Sequence, residues 1–128
     1  MTALTMAKGG DLFRAGIAVA PVTNWRFYDN IYTERYMRKP EENPQGYDDN
    51  SPVTHAGKIK GRLLLVHGSA DDNVHVQNSM TFAEALVQAG VPFDMAVYTD
   101  KNHGIRGGNT TMHLYAKMEE FLKQQLLF

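Results

Sequence analysis

Acid, amide and imidazole side chains crowd two short stretches of this chain, "DDNVHVQ" (Asp71 to Gln77) and "DKNHGI" (Asp100 to Ile105). Each lies behind an apolar run, "RLLLVHG" (62–68) and "PFDMAVYT" (92–99). A carboxylate on one such loop and an imidazole on the other can work as a pair. The carboxylate accepts the Nδ1–H of the histidine, fixes its tautomer, and stabilises the imidazolium that forms when Nε2 takes up a proton. His103, between Asn102 and Gly104 in a polar loop, is the candidate base, and spacing leaves Asp71 and Asp72 both open as the acid. His67, Asp71, Asp72, His75 and His103 also offer metal-ligating atoms, but the grouping lacks the helical spacing of H-E-x-x-H, so no metal and no other cofactor is expected. His67, ending a strand, and His75, opening a helix, read as structural; His55 and His113 read as surface residues.

Elements that would position the pair follow from hydrophobic periodicity. The run "RAGIAVAPV" (14–22) is continuously apolar and closed by proline, which suits a parallel-type strand buried on both faces. Strand 62–68, helix 77–90, strand 92–99 and a final helix from about Asn109 to Leu126 then alternate, the signature of a parallel sheet with helical crossovers. Phe82, Ala85, Leu86 and Ala89 recur at helical spacing before Gly90, and "MTALTMAK" forms an initial helix stopped at Gly9-Gly10. Residues 24–39 place Trp25, Tyr28, Tyr32 and Tyr36 at spacings of three and four, one stripe of a predicted helix. "PEENPQGYDDNSP" reads as loop. In open α/β sheets ligands gather beyond the carboxyl ends of the strands, and both polar stretches sit there.

Composition removes whole classes of mechanism. The chain has 128 residues, 43% of them hydrophobic, and a formal charge of −1, so one domain with a real core is expected, without the basic excess that binds nucleic acid. Zero cysteines exclude a thiolate nucleophile, a disulfide framework and cysteine-bound zinc. No apolar run is long enough to span a bilayer, and the first residues lack the pattern of a signal peptide, so these residues leave the compartment undetermined.

Acid before histidine on successive strand ends is the order of an α/β-hydrolase, whose nucleophilic serine lies upstream in a G-x-S-x-G elbow. Ser51, Ser69 and Ser79 have no such setting. The blocks "GIAVAPVTNWRFYDNIYTERYM", "LLLVHGSADDNVHVQ" and "VYTDKNHGI" resemble the dipeptidyl peptidase branch of the prolyl oligopeptidase family of serine peptidases, from about Phe13 to the end of the chain. The resemblance implies the C-terminal portion of an α/β-hydrolase fold, about three parallel strands flanked by helices. It assigns the triad acid to Asp71 and the general base to His103. It implies that Asn73 hydrogen-bonds the substrate backbone and that Val22, Trp25, Tyr28, Tyr32 and Val74 line an apolar pocket for proline, while Tyr36, Asp72 and His75 are left as packing or scaffold.

Against the family pattern Met1 falls a few residues after the motif G-W-S-Y-G-G. The chain is therefore expected to be a single partial catalytic domain, residues 1–128, beginning just after the nucleophile elbow. It would be a fragment of an enzyme that releases Xaa-Pro dipeptides from peptide N-termini, inactive alone because triad members act as a unit. The alternative is a non-catalytic module that binds proline-containing peptides or a partner chain. Missing upstream strands would leave "GIAVAPV" as an exposed edge and favour self-association. A periplasmic or extracellular setting is implied by the resemblance alone.

Overall fold

Leu63, Leu64, Leu65 and Val66 are each at most 1% exposed, and they form the middle of the strand on which the molecule is assembled. The computed structural model describes residues 1–127. That strand, β2 (Arg62–Gly68), is the centre of a three-stranded parallel sheet with β1 (Ala15–Val19) on one side and β3 (Asp94–Tyr98) on the other. Helices cover both faces, which is why β2 reads as an unbroken apolar run. Leu63 and Leu65 face a core built from Ala3, Met6 and Ala7 of α1 (Thr2–Lys8) and Phe82 and Leu86 of α4 (Gln77–Gln88). Leu64 and Val66 face Leu114 and Phe121 of α5 (Thr110–Leu126). The expected α/β architecture of three parallel strands flanked by helices is what forms.

Local signals placed most boundaries. α1 stops at Gly9, and α4 stops just before Gly90, whose φ of +69° is a left-handed backbone that glycine adopts without steric cost. α5 starts after Asn109.

Four expectations need correction. β1 spans only Ala15–Val19 and is mostly half-buried, with Val19 41% exposed. Among the described residues it has a single neighbouring strand, so one edge is unpaired, and the chain turns away at Ala20 (φ 46°) before Pro21, which has no N–H to extend the ladder. Residues 24–39 are not one helix. Asn24 Oδ1 caps a short 3₁₀ turn, Trp25–Phe27, and Asp29 Oδ1 accepts from Tyr32 N–H to start α2 (Asn30–Met37). Two caps within six positions divide the segment, because each offers the backbone a competing start. The stretch read as loop, residues 40–52, contains α3 (Pro44–Asp49), capped by Asn43 with proline in its first turn, and a 3₁₀ segment, Pro52–Lys58, begins at its last residue. It is ordered by Tyr47, which is 1% exposed and donates its hydroxyl to the Arg38 carbonyl at 2.7 Å. Finally, Tyr36, read as packing, is 67% exposed; its ring lies 5.1 Å from that of Tyr32 and carries the Arg35 guanidinium at 5.7 Å.

Candidate active site

The loops after β2 and β3 are laced together before any catalytic side chain is considered. Ser69 N–H donates to the Tyr98 carbonyl (2.9 Å), Ala70 N–H to the Lys101 carbonyl (3.0 Å), and Asp100 N–H to Ser69 Oγ (2.8 Å). The approach is so close that a Cβ at Gly68 would collide with the Lys101 carbonyl oxygen, so only glycine fits there. Adjacent parallel strands thus deliver two loops as one unit.

Asp71 and His103 meet on that unit. The His103 Nδ1–H donates to Asp71 Oδ2 at 2.8 Å, while the Asp71 side chain is fully buried and that of His103 is 45% exposed. The other carboxylate oxygen, Oδ1, accepts from the backbone N–H of Asn73 (3.0 Å) and Val74 (2.9 Å). One oxygen therefore holds the turn and the other holds the imidazole. Burial by itself pushes the Asp71 carboxyl up. The His103 hydrogen bond, the Val74 and Asn73 amides and the His103 charge together outweigh it, and the group ends below the ordinary carboxylate value. It stays ionised at neutral pH, as an acid that orients an imidazole must.

His103 is anchored from below by a strained neighbour. Ile105 is β-branched yet has a φ of 47°, a conformation that costs about 1–3 kcal/mol. Its side chain is 1% exposed among Leu64, Val66, Leu114 and Phe121, and burying an isoleucine gives back about 1.5–3 kcal/mol. The turn is closed by Ile105 N–H donating to the Asn102 carbonyl at 3.1 Å.

The aromatic residues assemble beside this pair although they do not share a helix. Trp25 stacks on Tyr32 (centroids 6.4 Å apart, planes 17° apart), and Tyr28 meets both rings edge-on at 5.9 and 5.4 Å. Tyr28 donates its hydroxyl to Asn73 Oδ1 at 3.0 Å, which joins the aromatic cluster to the acid loop. Burial, aided by Asp29, Tyr32 and Asp71, pushes the Tyr28 phenol up, so it remains a neutral donor. Val22, Trp25 and Tyr32 line a cleft of about 460 Å³ together with Ala18 to Pro21, Pro52 and the first three residues. Val74 lies buried under the turn (4% exposed) and is not in the lining of that cleft.

The loop that carries Val22 and Trp25 is fastened by a buried clasp. Asn78 Oδ1 accepts from Thr23 N–H (3.0 Å) and Asn24 N–H (3.3 Å), and Thr23 Oγ1 donates to the Asn78 carbonyl (2.5 Å). Thr23 and Asn78 are both fully buried. They lie 55 positions apart, so nothing in local spacing could have revealed them.

A family model described as the prolyl oligopeptidase family matches residues 1–127. The chain belongs to the prolyl oligopeptidase family. It is 45% identical over 127 residues to dipeptidyl peptidase 4 of Bos taurus, covering 97% of this chain and 17% of that protein. Prolyl endopeptidase FAP of Mus musculus is 46% identical over the same length, again with 97% and 17% coverage. Among solved structures, dipeptidyl peptidase 4 of Porphyromonas gingivalis superposes with a TM-score of 0.95 at 57% identity, covering 97% of this chain and 18% of that one. The chain thus spans under a fifth of the length of these family members.

Within this prolyl oligopeptidase family chain the candidate residues divide clearly. Asp71 and His103 are brought into contact, as are Tyr28 and Asn73, and Trp25, Tyr28 and Tyr32 pack on one another. Of the two acids that spacing left open, Asp71 faces the histidine, whereas Asp72 is exposed. The turn itself is held by Asp71, whose Oδ1 takes the Asn73 and Val74 amides. His75 is exposed and its carbonyl accepts from Asn78 N–H; His67 is buried with both ring nitrogens engaged. Ser51 Oγ accepts from Trp25 N–H, Ser79 Oγ meets His67, and Ser69 Oγ accepts from Asp100 N–H. Among the described residues no three histidine, aspartate or glutamate side chains converge as a metal site, and no helix is long and apolar enough to cross a membrane.

Proposed function

We propose that this chain is the C-terminal part of the catalytic domain of a serine-type dipeptidyl peptidase, and that Asp71 and His103 are its triad acid and general base. The observation that carries the reading is the 2.8 Å contact from His103 Nδ1 to a fully buried, ionised Asp71, with the imidazole itself half-exposed at the strand ends. With its proton held on Nδ1, the ring offers Nε2 as a base. It would take the proton of an attacking hydroxyl and return it to the departing amine, while Asp71 stabilises the imidazolium in between. In this reading the hydroxyl is that of a serine outside these 128 residues, which is supported by Ser51, Ser69 and Ser79 each being engaged with groups other than His103.

In the same reading Val22, Trp25, Tyr28 and Tyr32 form the apolar receptacle for a substrate proline, and Val74, buried beneath the turn, supports it from behind rather than lining it. A rigid ring with no amide hydrogen loses little entropy there and leaves no donor unpaired. Asn73 binds the substrate backbone, its side chain oriented by Tyr28. The names of the matched relatives, dipeptidyl peptidase 4 and prolyl endopeptidase, support a proline-directed peptidase. The open edge of β1 is proposed to pair with a second copy or with missing strands.

Without its nucleophile the chain alone should not hydrolyse peptides. Incubation with a Gly-Pro chromogenic substrate should give no turnover above that of an Asp71→Ala, His103→Ala double variant, and turnover above it would sink the expectation that the chain alone is inactive. A second reading, a peptide-binding module, is favoured by one observation: the Trp25, Tyr28 and Tyr32 cluster is already packed within this chain. Calorimetry with a Xaa-Pro dipeptide separates the two. Heat of binding supports the module, and its absence supports an enzyme piece that needs its upstream half.

A further inference from the structure

His67 closes β2, is fully buried, and has both ring nitrogens engaged: Nε2 lies 2.7 Å from the Val74 carbonyl oxygen and Nδ1 lies 2.7 Å from Ser79 Oγ. A carbonyl can only accept, so the ring proton sits on Nε2 and the Ser79 hydroxyl donates to Nδ1. Ser79 is itself fully buried in the first turn of α4, so the ring is locked in place as a crosspiece between strand, loop and helix. The peptide groups of Val74 are consequently held on both sides, with the N–H on Asp71 Oδ1 and the carbonyl on His67. His67 Nε2 also stands 3.3 Å from Asp71 Oδ2, the oxygen that receives the His103 proton donor.

We propose that His67 is a positioning residue for Asp71: fixed by Ser79, it braces the 71–74 turn and sets the positive edge of its Nε2–H beside Oδ2, which keeps that oxygen aimed at His103. The importance of this for catalysis rests on reading Asp71 as the triad acid. The groups that face the carboxylate are His67 from β2, His103 from the loop after β3, and the amides of Asn73 and Val74, while the Tyr28 phenol, from the segment before α2, is held on Asn73 Oδ1. A change in Asp71 titration confined to His67 or Ser79 variants therefore reports this brace.

The test is carbon-13 and nitrogen-15 NMR on the whole chain, following the Asp71 carboxyl through an acid titration and the imidazole signals of His67 and His103. His67→Phe should raise the Asp71 midpoint, since the turn that supplies its hydrogen bonds loosens and a nearby dipole is lost. It should also weaken the downfield Nδ1 proton signal of His103. His67→Gln, whose amide can donate from about the Nε2 position, should restore both signals. Should His67→Phe fail to fold, Ser79→Ala frees the ring with little change in volume and should move the Asp71 midpoint in the same direction. An unchanged Asp71 midpoint in whichever of these variants folds overturns the proposal and leaves His67 as a core residue. No readout involves hydrolysis, so an error in the triad reading would leave the effect of His67 on Asp71 intact, and a failure of this proposal would leave the triad reading untouched.

Discussion

Substituting Asp71 with asparagine and, separately, with alanine should cost different amounts of stability, because the two carboxylate oxygens have different duties. Alanine removes both. Losing Oδ1 leaves the N–H of Val74, a buried residue, without a partner, which costs about 1–3 kcal/mol, while the N–H of exposed Asn73 can turn to water. Losing the charge at Oδ2 breaks the pair with His103. That side chain is 45% exposed, so water screens the pair and its loss is worth about 0.2–1 kcal/mol. Asparagine keeps an oxygen for the turn and loses only the charged contact. Urea unfolding at pH 7, followed by the fluorescence of the sole tryptophan, Trp25, should give a loss of at most about 1 kcal/mol for Asp71→Asn and a larger one, about 1–4 kcal/mol, for Asp71→Ala. The acid dependence adds a sign. The folded-state value for Asp71 is depressed, so its ionised form contributes stability that is fully present above the unfolded value of about 3.9 and is lost as pH falls through the folded value. The gap between wild type and Asp71→Asn should be widest near neutrality and close as the pH drops below about 4. Equal costs for the two variants at pH 7, or a gap that widens in acid, would refute the division of labour between Oδ1 and Oδ2.

Removing the clasp by Asn78→Ala leaves the buried Thr23 N–H unpaired and should cost about 2–3 kcal/mol in urea unfolding; it should also diminish the near-ultraviolet dichroism of Trp25, whose loop it releases. Leu65→Ala, at the fully buried centre of β2, should cost about 2–5 kcal/mol by the same measurement without altering the denaturant slope. Tyr28→Phe deletes the donor to Asn73 Oδ1 at an exposed site, so stability should change by at most about 1 kcal/mol while the Asn73 side-chain amide resonances shift. Light scattering at rising concentration should show dimers or larger species if the β1 edge pairs, and a monodisperse monomer would count against that.

Some of this architecture is legible one residue at a time. The run from Leu63 to Val66 announces a strand covered on both faces because burial on both sides permits no polar alternation. Phe82 and Leu86 announce the buried face of α4 because the helix repeat brings every third or fourth residue to one side. Where the reading erred, distant or competing contacts decided. Tyr47 gives residues 44–49 a reason to be helical by reaching the Arg38 carbonyl, and Asp29 interrupts a stripe whose aromatic spacing looked continuous.

The same division holds at the site. Sequence determined that an acid loop and a histidine loop follow neighbouring strands of a parallel sheet, because strand order and hydrophobic period are local properties of the chain, and its wording placed the chain in its family. It could not choose between Asp71 and Asp72 by spacing, since adjacent residues share a loop and differ only in direction. Tertiary structure decides that: Gly68 lets the two loops touch, the turn from Asp71 to Val74 consumes one carboxylate oxygen, and the other is left facing His103. The clasp from Asn78 to Thr23 and the brace from His67 to Ser79 belong to the same class. Hydrogen bonds among buried groups are fixed by where the finished fold excludes water, and that exclusion exists only once the chain has closed on itself.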